Sequence, residues 1–597
     1  MKAPLSPGSF RDKISRFPER LRRSFGGHGY LVFGSIIVGI MAALAAAVLK
    51  NIVDVIRELP QHFAHISNYR ILYFFLPVAG ILLTVLIIRL FFKGQLERGL
   101  GGLIFAISKR SSVIERNRMY SHVITSGITV GLGGSAGLEA PIVLTGSAMG
   151  SNLARYMGLG YQERTLLLAC GAAAGISAIF NSPIAGVLFA IEVLLTDLSL
   201  PLFIPLLIST ATSSIVSKLL YSGQLFHLIT TQWYMDALPF YLLLGILSGL
   251  ISVYMTRVAL FTETFFEARK SVWLKASLGG LSLGLLIFVM PPLFGEGYST
   301  ITELFNGNYS GLALDSPFAY IVSNGWMIVI FAAALILVKP FAYAVTIGSG
   351  GNGGIFAPSL FTGALLGFVL AYAVNLAGIK TLHVANFIAV GMAGIMAGVI
   401  HAPLTAIFLI AEITGGYVLF VPLMIVSAVS YFISRTFEPY SFYTRKLANA
   451  GLLDPADKER NILNQLHLSE LVETDFVPLR SGDPLSTLVE AFTKSNRNIY
   501  PVLDDAGRIA GIIRLQDIKE LLLKPEQHAG KTISDVTETD IPSIDISEDI
   551  VVAVRKFEQS GQWNIPVVRE GKYEGFISRS NLFSHYRRIL KRSSSMA

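Results

Sequence analysis

Long apolar tracts dominate the first 450 residues of this 597-residue chain. About 20 apolar residues in a helix are enough to cross the hydrocarbon core of a bilayer. Tracts of that length lie at about 30–56, 70–93, 198–221, 238–261, 273–294, 317–340 and 417–434. Only 15% of the residues are charged, whereas soluble domains carry about 25%. The sequence therefore predicts a polytopic, helical membrane protein.

The charges that flank the first tract indicate its orientation. The basic run "RDKISRFPERLRR" at 11–23 precedes this tract, so the positive-inside rule places the N-terminus in the cytoplasm. An interfacial helix is an alternative for this run, because Ile14, Phe17 and Leu21 recur at helical spacing. The net charge of +8 forms no basic stripe interleaved with aromatic residues, so no nucleic-acid partner is expected. The single cysteine, Cys170, excludes an intramolecular disulfide framework.

Two glycine-rich stretches, at about 120–195 and 343–415, contain an internal repeat. The first repeated block matches Pro141 with Pro358, Gly146 with Gly363, and Gly150 with Gly367; the second matches Gly171 with Gly391, Pro183 with Pro403, and Glu192 with Glu412. Apolar sequence interrupted by Gly and Pro is typical of broken or re-entrant helices. Duplicated halves with such helices predict a binding site at the repeat interface. Whether the halves are inverted is not decided by the sequence.

The stretch "GGSAGLEAP" at 133–141 places one carboxylate, Glu139, inside an apolar segment. Ionisable residues inside a membrane are costly and are functional by default. Ala140 and Pro141 are typical of a helix start, and a helix start attracts anions. Glu139 would then be a tethered anion that blocks a site until it is protonated. The alternative is a structural carboxylate that is satisfied by helix-end amides or is protonated.

The equivalent stretch of the second repeat, "GSGGNGGIFAPS" at 348–359, contains no acid. Ile355, Phe356 and Ala357 precede Pro358 there, and free amides at such a helix start would bind a diffusible anion without placing a full positive charge in the membrane. A helix crossing mediated by glycine is the alternative interpretation.

The sequence after about Leu452 is charged and carries a second repeat, with copies at 497–523 and 562–590. Each copy reads as a strand, a turn containing glycine, a second strand and an amphipathic helix. A pair of small cytoplasmic α/β modules is expected.

Over about residues 30–450 the sequence resembles the CLC chloride channels and proton–chloride exchangers, and the tail resembles a CBS pair. "GLEAP" at 137–141 is similar to the GREGP motif of the family, with Leu138 and Ala140 as departures, and the resemblance puts the gating glutamate on Glu139. "GGIFAP" at 353–358 matches the family's GxFxP motif, which implies anion-coordinating backbone amides at Ile355 and Phe356, with Gly354 beside them. "SFYTRKLANAG" implies an anion-coordinating tyrosine at Tyr443, although its position alone would suggest a tyrosine at the membrane interface.

The resemblance implies an all-α CLC-type membrane domain with two repeated halves, followed by the CBS pair. The expected boundaries are 1–28 for an N-terminal segment, 29–450 for the membrane domain with halves at about 70–225 and 235–435, 451–465 for a linker, and 466–527 and 528–592 for the two CBS modules.

Two departures from the family bear on mechanism. Arg98 stands in place of the family's central serine, so backbone amides near Gly99 to Gly101 are expected to replace that hydroxyl. The alternative for Arg98 is an arginine at the membrane interface. Val193 stands where proton-coupled relatives carry an internal glutamate, and a valine cannot relay a proton. A structural role at helix ends is expected for the neighbouring Glu192. The sequence therefore favours a passive, channel-like conductance, with a proton-coupled antiporter as the alternative.

The CBS modules often bind adenine nucleotides in relatives. Here the first module keeps Asp517 but has Arg514 at the hydroxyl position, and the second keeps Ser578 but has Asn581 in place of the acid. The sequence therefore leaves open whether the pair binds a nucleotide or is a dimerising scaffold, and no cofactor is required.

The resemblance implies a homodimer, and the predicted function is transport of chloride or a similar small anion across a prokaryotic-type plasma (inner) membrane. The sequence shows no H-E-x-x-H metal motif, no paired acids at helical spacing in the membrane and no nucleophile elbow. A CBS-linked membrane enzyme or cation channel is therefore a remote alternative, and no metal site is expected.

Overall fold

The computed structural model describes residues 10–62, 71–94, 96–97, 99–109, 111–195, 200–221, 230–313, 316–320, 324–449, 463, 466, 468–522 and 530–594. The chain forms two compact units, Met1–Leu453 and Asp454–Ala597. Arg98 and most of the expected linker at 451–465 lie outside the described residues.

The first unit consists of helices. They are α1 (Phe10–His62), α2 (Leu72–Phe91), α3 (Gly101–Lys109), α4 (Arg118–Gly131), α5 (Glu139–Tyr156), α6 (Tyr161–Phe180), α7 (Pro183–Phe189, continued by a π-helical turn at Ala190–Leu194), α8 (Leu200–Leu220), α9 (Leu238–Glu267), α10 (Val272–Val289), α11 (Tyr298–Phe305), α12 (Gly325–Gly348), α13 (Phe356–Leu376), α14 (Val384–Ile400), α15 (Pro403–Ile413), α16 (Phe420–Phe437) and α17 (Phe442–Asn449).

Nine helices within the described ranges are long and apolar enough to cross a membrane. Seven of them correspond to the apolar tracts of the sequence, and the other two, α6 and α13, come from the glycine-rich stretches. The tract expected at 317–340 is displaced, because its helix begins only at Gly325. The basic run at 11–23 is not a separate interfacial helix, since α1 continues through it without a break.

The two repeats fold alike because their glycines and prolines stand at equivalent places. Helices α6 and α14 end at Asn181 and His401, which both adopt left-handed backbone conformations with φ of +56° and +61°. Two residues later Pro183 and Pro403 begin α7 and α15, positions that suit the fixed φ of proline. The interrupted helices predicted from the repeat are therefore present in both halves.

Glycine also sets the closest helix packing. Helices α5 and α6 cross where a methyl group on Gly171 would lie 1.9 Å from the carbonyl oxygen of Gly146. In the second repeat a methyl group on Gly391 would lie 2.3 Å from the carbonyl oxygen of Gly363. Close packing of this kind suits helices in the interior. In the most apolar 18 residues of α6, 83% of the residues are buried, whereas in those of α2 only 33% are.

The second unit contains two copies of one small α/β module. The first comprises β1 (Leu479–Arg480), α19 (Ser486–Lys494), β2 (Ile499–Leu503), β3 (Ile509–Arg514) and α20 (Leu515–Leu522), preceded by α18 (Leu468–Leu471). The second comprises β4 (Ile544–Asp545), α21 (Ile550–Ser560), β5 (Asn564–Arg569), β6 (Lys572–Ser578) and α22 (Arg579–Ser594).

Each module holds a three-stranded sheet in which the first strand pairs parallel and the last antiparallel to the middle strand. The predicted glycine turns connect the antiparallel pairs, with φ of +77° at Gly507 and +80° at Gly571. The tail repeat of the sequence is thus a repeat of structure.

Candidate functional site

The two glycine-rich loops of the repeats meet in a short antiparallel bridge. Gly137 N–H donates to the carbonyl oxygen of Gly354 at 2.9 Å, and Gly354 N–H donates to that of Gly137 at 2.8 Å. Side chains would prevent this approach, since a methyl group on Gly354 would lie 2.8 Å from Cβ of Ala140. The bridge brings the first turns of α5 and α13 together. Its reciprocal bonds are those of two segments related by a local two-fold axis.

Glu139, the first residue of α5, is 1% exposed. Its Oε1 accepts a hydrogen bond from the hydroxyl of Tyr298, at the start of α11. The same carboxylate lies against the backbone amide of Ala357, in the first turn of α13. The carboxylate of one repeat therefore occupies the helix start of the other, where the sequence predicts amides that face an anion.

Ile355 and Phe356 stand at the start of α13 and are buried. The first four N–H groups of a helix have no partner within the helix. The Phe356 ring stacks on Phe180 with centroids 5.4 Å apart, and the Phe180 and Tyr298 rings meet edge to face with centroids 6.4 Å apart.

The Gly354 amide does not match its predicted role. Its N–H donates to the carbonyl oxygen of Gly137, so it is not available to an anion in this arrangement.

Tyr443, near the start of α17, is buried and close enough to Glu139 and Tyr343 to interact with them electrostatically. Its carbonyl oxygen would lie 3.2 Å from a methyl group on Gly101, the first residue of α3. Gly99, two residues earlier, has a left-handed backbone and open space around it. The structure thus gathers Glu139, Tyr443 and the start of α3 from distant parts of the chain.

Ion pairs hold α17 in place. The buried Glu438 carboxylate pairs with Arg445 of α17 and with Arg257 of α9. Lys446 pairs with the buried Glu263 of α9 at 2.7 Å. These contacts fix the helix that carries Tyr443.

Glu192 and Glu412 cap helices of the opposite repeat. Glu192 accepts bonds from the backbone N–H groups of Leu404 and Thr405, at the start of α15. Glu412 accepts bonds from those of Ile184 and Ala185, at the start of α7. The expected structural role at helix ends agrees with these contacts.

Sequence reasoning missed Tyr298 and Phe180, which face the candidate site. Tyr298 follows the sequence "GEG" at 295–297, where an acid stands beside an apolar tract. That acid, Glu296, could have drawn attention to the segment, because intramembrane carboxylates are rare. Phe180 carries no such signal.

In the second unit, Asp517 lies 3.6 Å from its neighbour Arg514, and the Ser578 hydroxyl donates to Glu473 at 2.6 Å. Neither lines a cleft of about 940 Å³ in this unit. That cleft is lined by basic and aromatic side chains, among them Arg497, Arg514, Lys519, Phe476, Phe492 and Trp563. Neither predicted nucleotide residue therefore lines this cleft. Within the described residues no group of His, Cys, Asp and Glu could hold a metal ion.

A two-fold repeated helical membrane unit, with facing helix starts at its centre and a paired α/β tail, defines a class of membrane transport proteins. The family model of the voltage gated chloride channel matches residues 79–435, more than half of the chain, and the CBS domain model matches residues 468–524 and 533–588. The chain belongs to the voltage gated chloride channel, or CLC, family, whose function is anion transport. The family and the fold class predicted from the sequence are confirmed.

Curated relatives agree with this assignment. The chain is 31% identical over 385 residues to a putative chloride channel protein ClcB-like of Ralstonia nicotianae, covering 62% of this chain and 84% of the relative. It is 28% identical over 520 residues to chloride channel protein CLC-f of Arabidopsis thaliana, and this match covers 75% of this chain and 64% of the relative.

Solved structures share the fold. A slow cyanobacterial Cl⁻/H⁺ antiporter superposes with a TM-score of 0.59 at 22% identity, covering 72% of this chain and 98% of that one. A CLC-type fluoride/proton antiporter superposes with a TM-score of 0.57 at 23% identity, and the match covers 69% of this chain and 96% of that one. A eukaryotic CLC transporter superposes with a TM-score of 0.60 at 19% identity, and the match covers 94% of this chain and 98% of that one.

Proposed function

We propose that this protein conducts chloride or a similar small anion passively, and that Glu139 gates the pathway. The position of the Glu139 carboxylate carries the proposal, because it lies against the first turn of α13. A helix start carries about half a positive charge and binds one anion well. A carboxylate and a diffusible anion would compete for it, so neutralising the carboxylate opens the site. Ile355, Phe356 and Tyr443 would then contact the anion, with Gly99 at its approach to α3.

Passive conductance is favoured over proton coupling by Val193, which cannot carry a proton. The alternative remains a proton-coupled antiporter, since two proteins of the same fold are described as a Cl⁻/H⁺ antiporter and a fluoride/proton antiporter. The two mechanisms differ in whether a chloride gradient moves protons.

The test is chloride efflux from proteoliposomes across a range of pH, with the voltage clamped by potassium and valinomycin. Wild-type flux should rise as the pH falls. Glu139→Gln removes the titrating charge, so its flux should be high and independent of pH. The exposed Glu115 supplies a matched control, Glu115→Gln, which should behave as the wild type. A Glu139→Gln variant that keeps the wild-type pH dependence would contradict the gating role.

Proton movement recorded in the same vesicles separates the mechanisms. Chloride efflux without proton uptake above the leak supports a channel. Stoichiometric uptake that disappears in Glu139→Gln would establish the antiporter instead.

We further propose a homodimer in the plasma (inner) membrane with both the N-terminus and the CBS tail in the cytoplasm. The family resemblance and the basic run before the first tract support this arrangement. Single-molecule subunit counting in liposomes tests the dimer, and protease access from each side tests the orientation.

For the CBS unit we propose an adenine nucleotide in the 940 Å³ cleft, supported by its basic and aromatic lining. Arg514 and Lys519 would meet the phosphates and Trp563 the base. Calorimetric titration of the full-length protein with ATP should show saturable binding that Lys519→Met weakens. Absence of binding would favour the scaffold role.

A further inference from the structure

The segment "FGEGY" at 294–298 delivers two polar side chains to the start of α5. Gly295 and Gly297 on either side of Glu296 have positive φ, of +61° and +87°. A methyl group on Gly297 would lie 2.4 Å from the Phe361 ring. The two left-handed residues turn the chain so that Tyr298 reaches the Glu139 carboxylate while Glu296 stays buried beside it.

Glu296 stands next to the gating carboxylate. It is 3% exposed, and its carboxylate lies against the backbone amide of Leu138, the residue before Glu139. Its Oε2 is 3.7 Å from Nη2 of Arg57 on α1. Two acids from different segments therefore converge on the N-terminus of one helix, and each faces the other's charge.

Buried cations surround this pair. Lys339 of α12 is fully buried, and its ammonium donates to the carbonyl oxygen of Gly295 at 3.1 Å and to that of Leu293 at 3.4 Å. Lys50 of α1 donates to the carbonyl oxygen of Ala178 at 3.1 Å. Lys50 also stands over the ring of Tyr221, whose hydroxyl donates to Asp54 at 2.7 Å.

The formal charges of this cluster balance. The groups that face Glu139 and Glu296 are Lys50, Asp54 and Arg57 on α1, Lys339 on α12, and the neutral phenols of Tyr221, Tyr298 and Tyr443. Three cations meet three carboxylates while Glu139 is ionised. Protonation of Glu139 leaves one positive charge in a poorly solvated region, and an entering anion restores neutrality.

We propose that Glu296 is a positioning residue of the gate: its negative charge, balanced by Lys339 and Arg57, sets the pH at which Glu139 is displaced by an anion. The inference rests on the proposed gating by Glu139 and adds its regulation. A neighbouring negative charge makes ionisation of Glu139 harder and keeps the gate responsive nearer neutrality. A neighbouring positive charge acts in the opposite direction.

The experiment measures chloride efflux from proteoliposomes of the full-length protein at zero voltage as a function of pH. Glu296→Gln removes the like charge beside Glu139, so half-maximal flux should move to lower pH, by about one to two units for a close buried charge. Lys339→Met removes a balancing cation, so half-maximal flux should move to higher pH. The exposed Asp236 gives a matched control, Asp236→Asn, which should leave the midpoint in place.

Opposite shifts distinguish an electrostatic role from a structural one, because a loosened fold would lower the flux at every pH. The inference is overturned if Glu296→Gln and Lys339→Met move the midpoint in the same direction or leave it unmoved. If Glu296→Gln does not fold, two other variants test the inference. Glu296→Asp keeps the charge and should keep the wild-type midpoint, whereas Arg57→Gln should raise the midpoint pH as Lys339→Met does. Any other result again overturns the inference.

Failure of the gate itself gives a different result. If Glu139→Gln keeps the pH dependence of the wild type, the proposed function fails. If Glu139→Gln abolishes that dependence while Glu296→Gln leaves the midpoint unchanged, only the present inference fails. Chloride titration of the detergent-solubilised protein adds a readout that does not depend on flux. It is made in a Glu139→Gln background, where no carboxylate competes for the site: Glu296→Gln should then bind chloride more tightly, and Lys339→Met more weakly.

Discussion

The Glu139 carboxylate accepts a hydrogen bond from the Tyr298 hydroxyl and lies close to the backbone amide of Ala357. Hydrogen bonds to a carboxylate stabilise its charged form. In an apolar interior such bonds are worth more than in water, and an unpaired charge there would be costly. The chain can therefore keep an acid in its core, with the Tyr298 hydroxyl as its donor.

Replacing Tyr298 by phenylalanine should ease the release of Glu139. The variant loses one hydrogen bond to a charged group, worth about 1.5–3 kcal/mol, but keeps the ring that packs on Phe180. Glu139 should then protonate more readily, so half-maximal chloride flux should move to higher pH by about one unit or more. Efflux from proteoliposomes between pH 4 and 9 measures this shift.

Tyr309 offers a matched control, because it packs on Phe368 and Tyr372 and lies apart from Glu139. Tyr309→Phe should leave the midpoint unchanged. A Tyr298→Phe midpoint that stays at the wild-type value, or moves to lower pH, would show that the hydroxyl does not hold the charged carboxylate.

At the scale of elements, the short helices α7 and α15 depend on each other. Each begins at a proline after a left-handed residue, and each has its free N–H groups capped by a glutamate from the other repeat. These reciprocal contacts join the two halves at the starts of α7 and α15, as the Gly137–Gly354 bridge joins them at the candidate site.

Removing a cap should destabilise the membrane unit without changing the pH response of the gate. Glu412→Ala leaves the N–H groups of Ile184 and Ala185 without their acceptor, and lost helix caps cost about 0.5–2 kcal/mol. Thermal unfolding in detergent, followed by tryptophan fluorescence, should show a lower midpoint for Glu412→Ala and for Glu192→Ala.

The glutamine variants test the cause, because Gln still accepts hydrogen bonds and should recover part of the loss. Glu115→Ala, at an exposed site, should unfold as the wild type does. Alanine variants as stable as the wild type would mean that the caps contribute little to the fold.

At the scale of the whole molecule, the two units have separate hydrophobic cores. The membrane unit is centred on glycine-rich helices, and each CBS module packs its own sheet, with Tyr500 and Val502 in one core and Ile565 and Val567 in the other. Surface carboxylates of the CBS unit are bound by neighbours. The Arg497 side chain donates to Asp475 and holds the pKa of that carboxyl below its ordinary value. Hydrogen bonds from Ser547 and from Arg569 lower the pKa of Asp545 and of Glu574 in the same way.

The isolated chain 454–597 should fold and should lose stability in acid. When the pKa of a carboxyl is lower in the folded state than in the unfolded state, the unfolded chain takes up the proton at a higher pH than the folded chain does. Such a carboxyl therefore stabilises the fold above its unfolded pKa, about 4, and loses that contribution as the pH falls further. Thermal unfolding followed by circular dichroism between pH 2 and 7 should give one cooperative transition whose midpoint falls below about pH 4.

Arg497→Gln should reduce this pH dependence, since Asp475 then loses the donor that lowers its pKa. The exposed Arg555 supplies the control, Arg555→Gln, which should retain it. An unfolding midpoint independent of pH in the wild type would contradict the argument, and a fragment without a cooperative transition would show that the unit does not fold alone.

Local patterns in the sequence predicted much of this architecture. Apolar length, glycine and proline positions, and the two repeats indicate the spanning helices, their interruptions and the paired CBS modules, because each depends on neighbouring residues. The same patterns place Glu139, Ile355 and Phe356 at helix starts. They misplaced the start of α12, predicted a free amide at Gly354, and left open whether the 11–23 run is a separate helix.

Only the tertiary structure decided which groups meet at these helix starts. Tyr298 and Glu139 are 159 positions apart, Glu296 belongs to the segment of Tyr298, and Lys339 and Arg57 come from two further segments. No periodicity links residues so distant, since their contact is set by how whole helices cross and by where glycine lets backbones approach. The sequence by itself determined the family, the helices and the acid at the centre; the packing of the helices determined what surrounds that acid, because burial and neighbouring charge exist only after the halves have folded together.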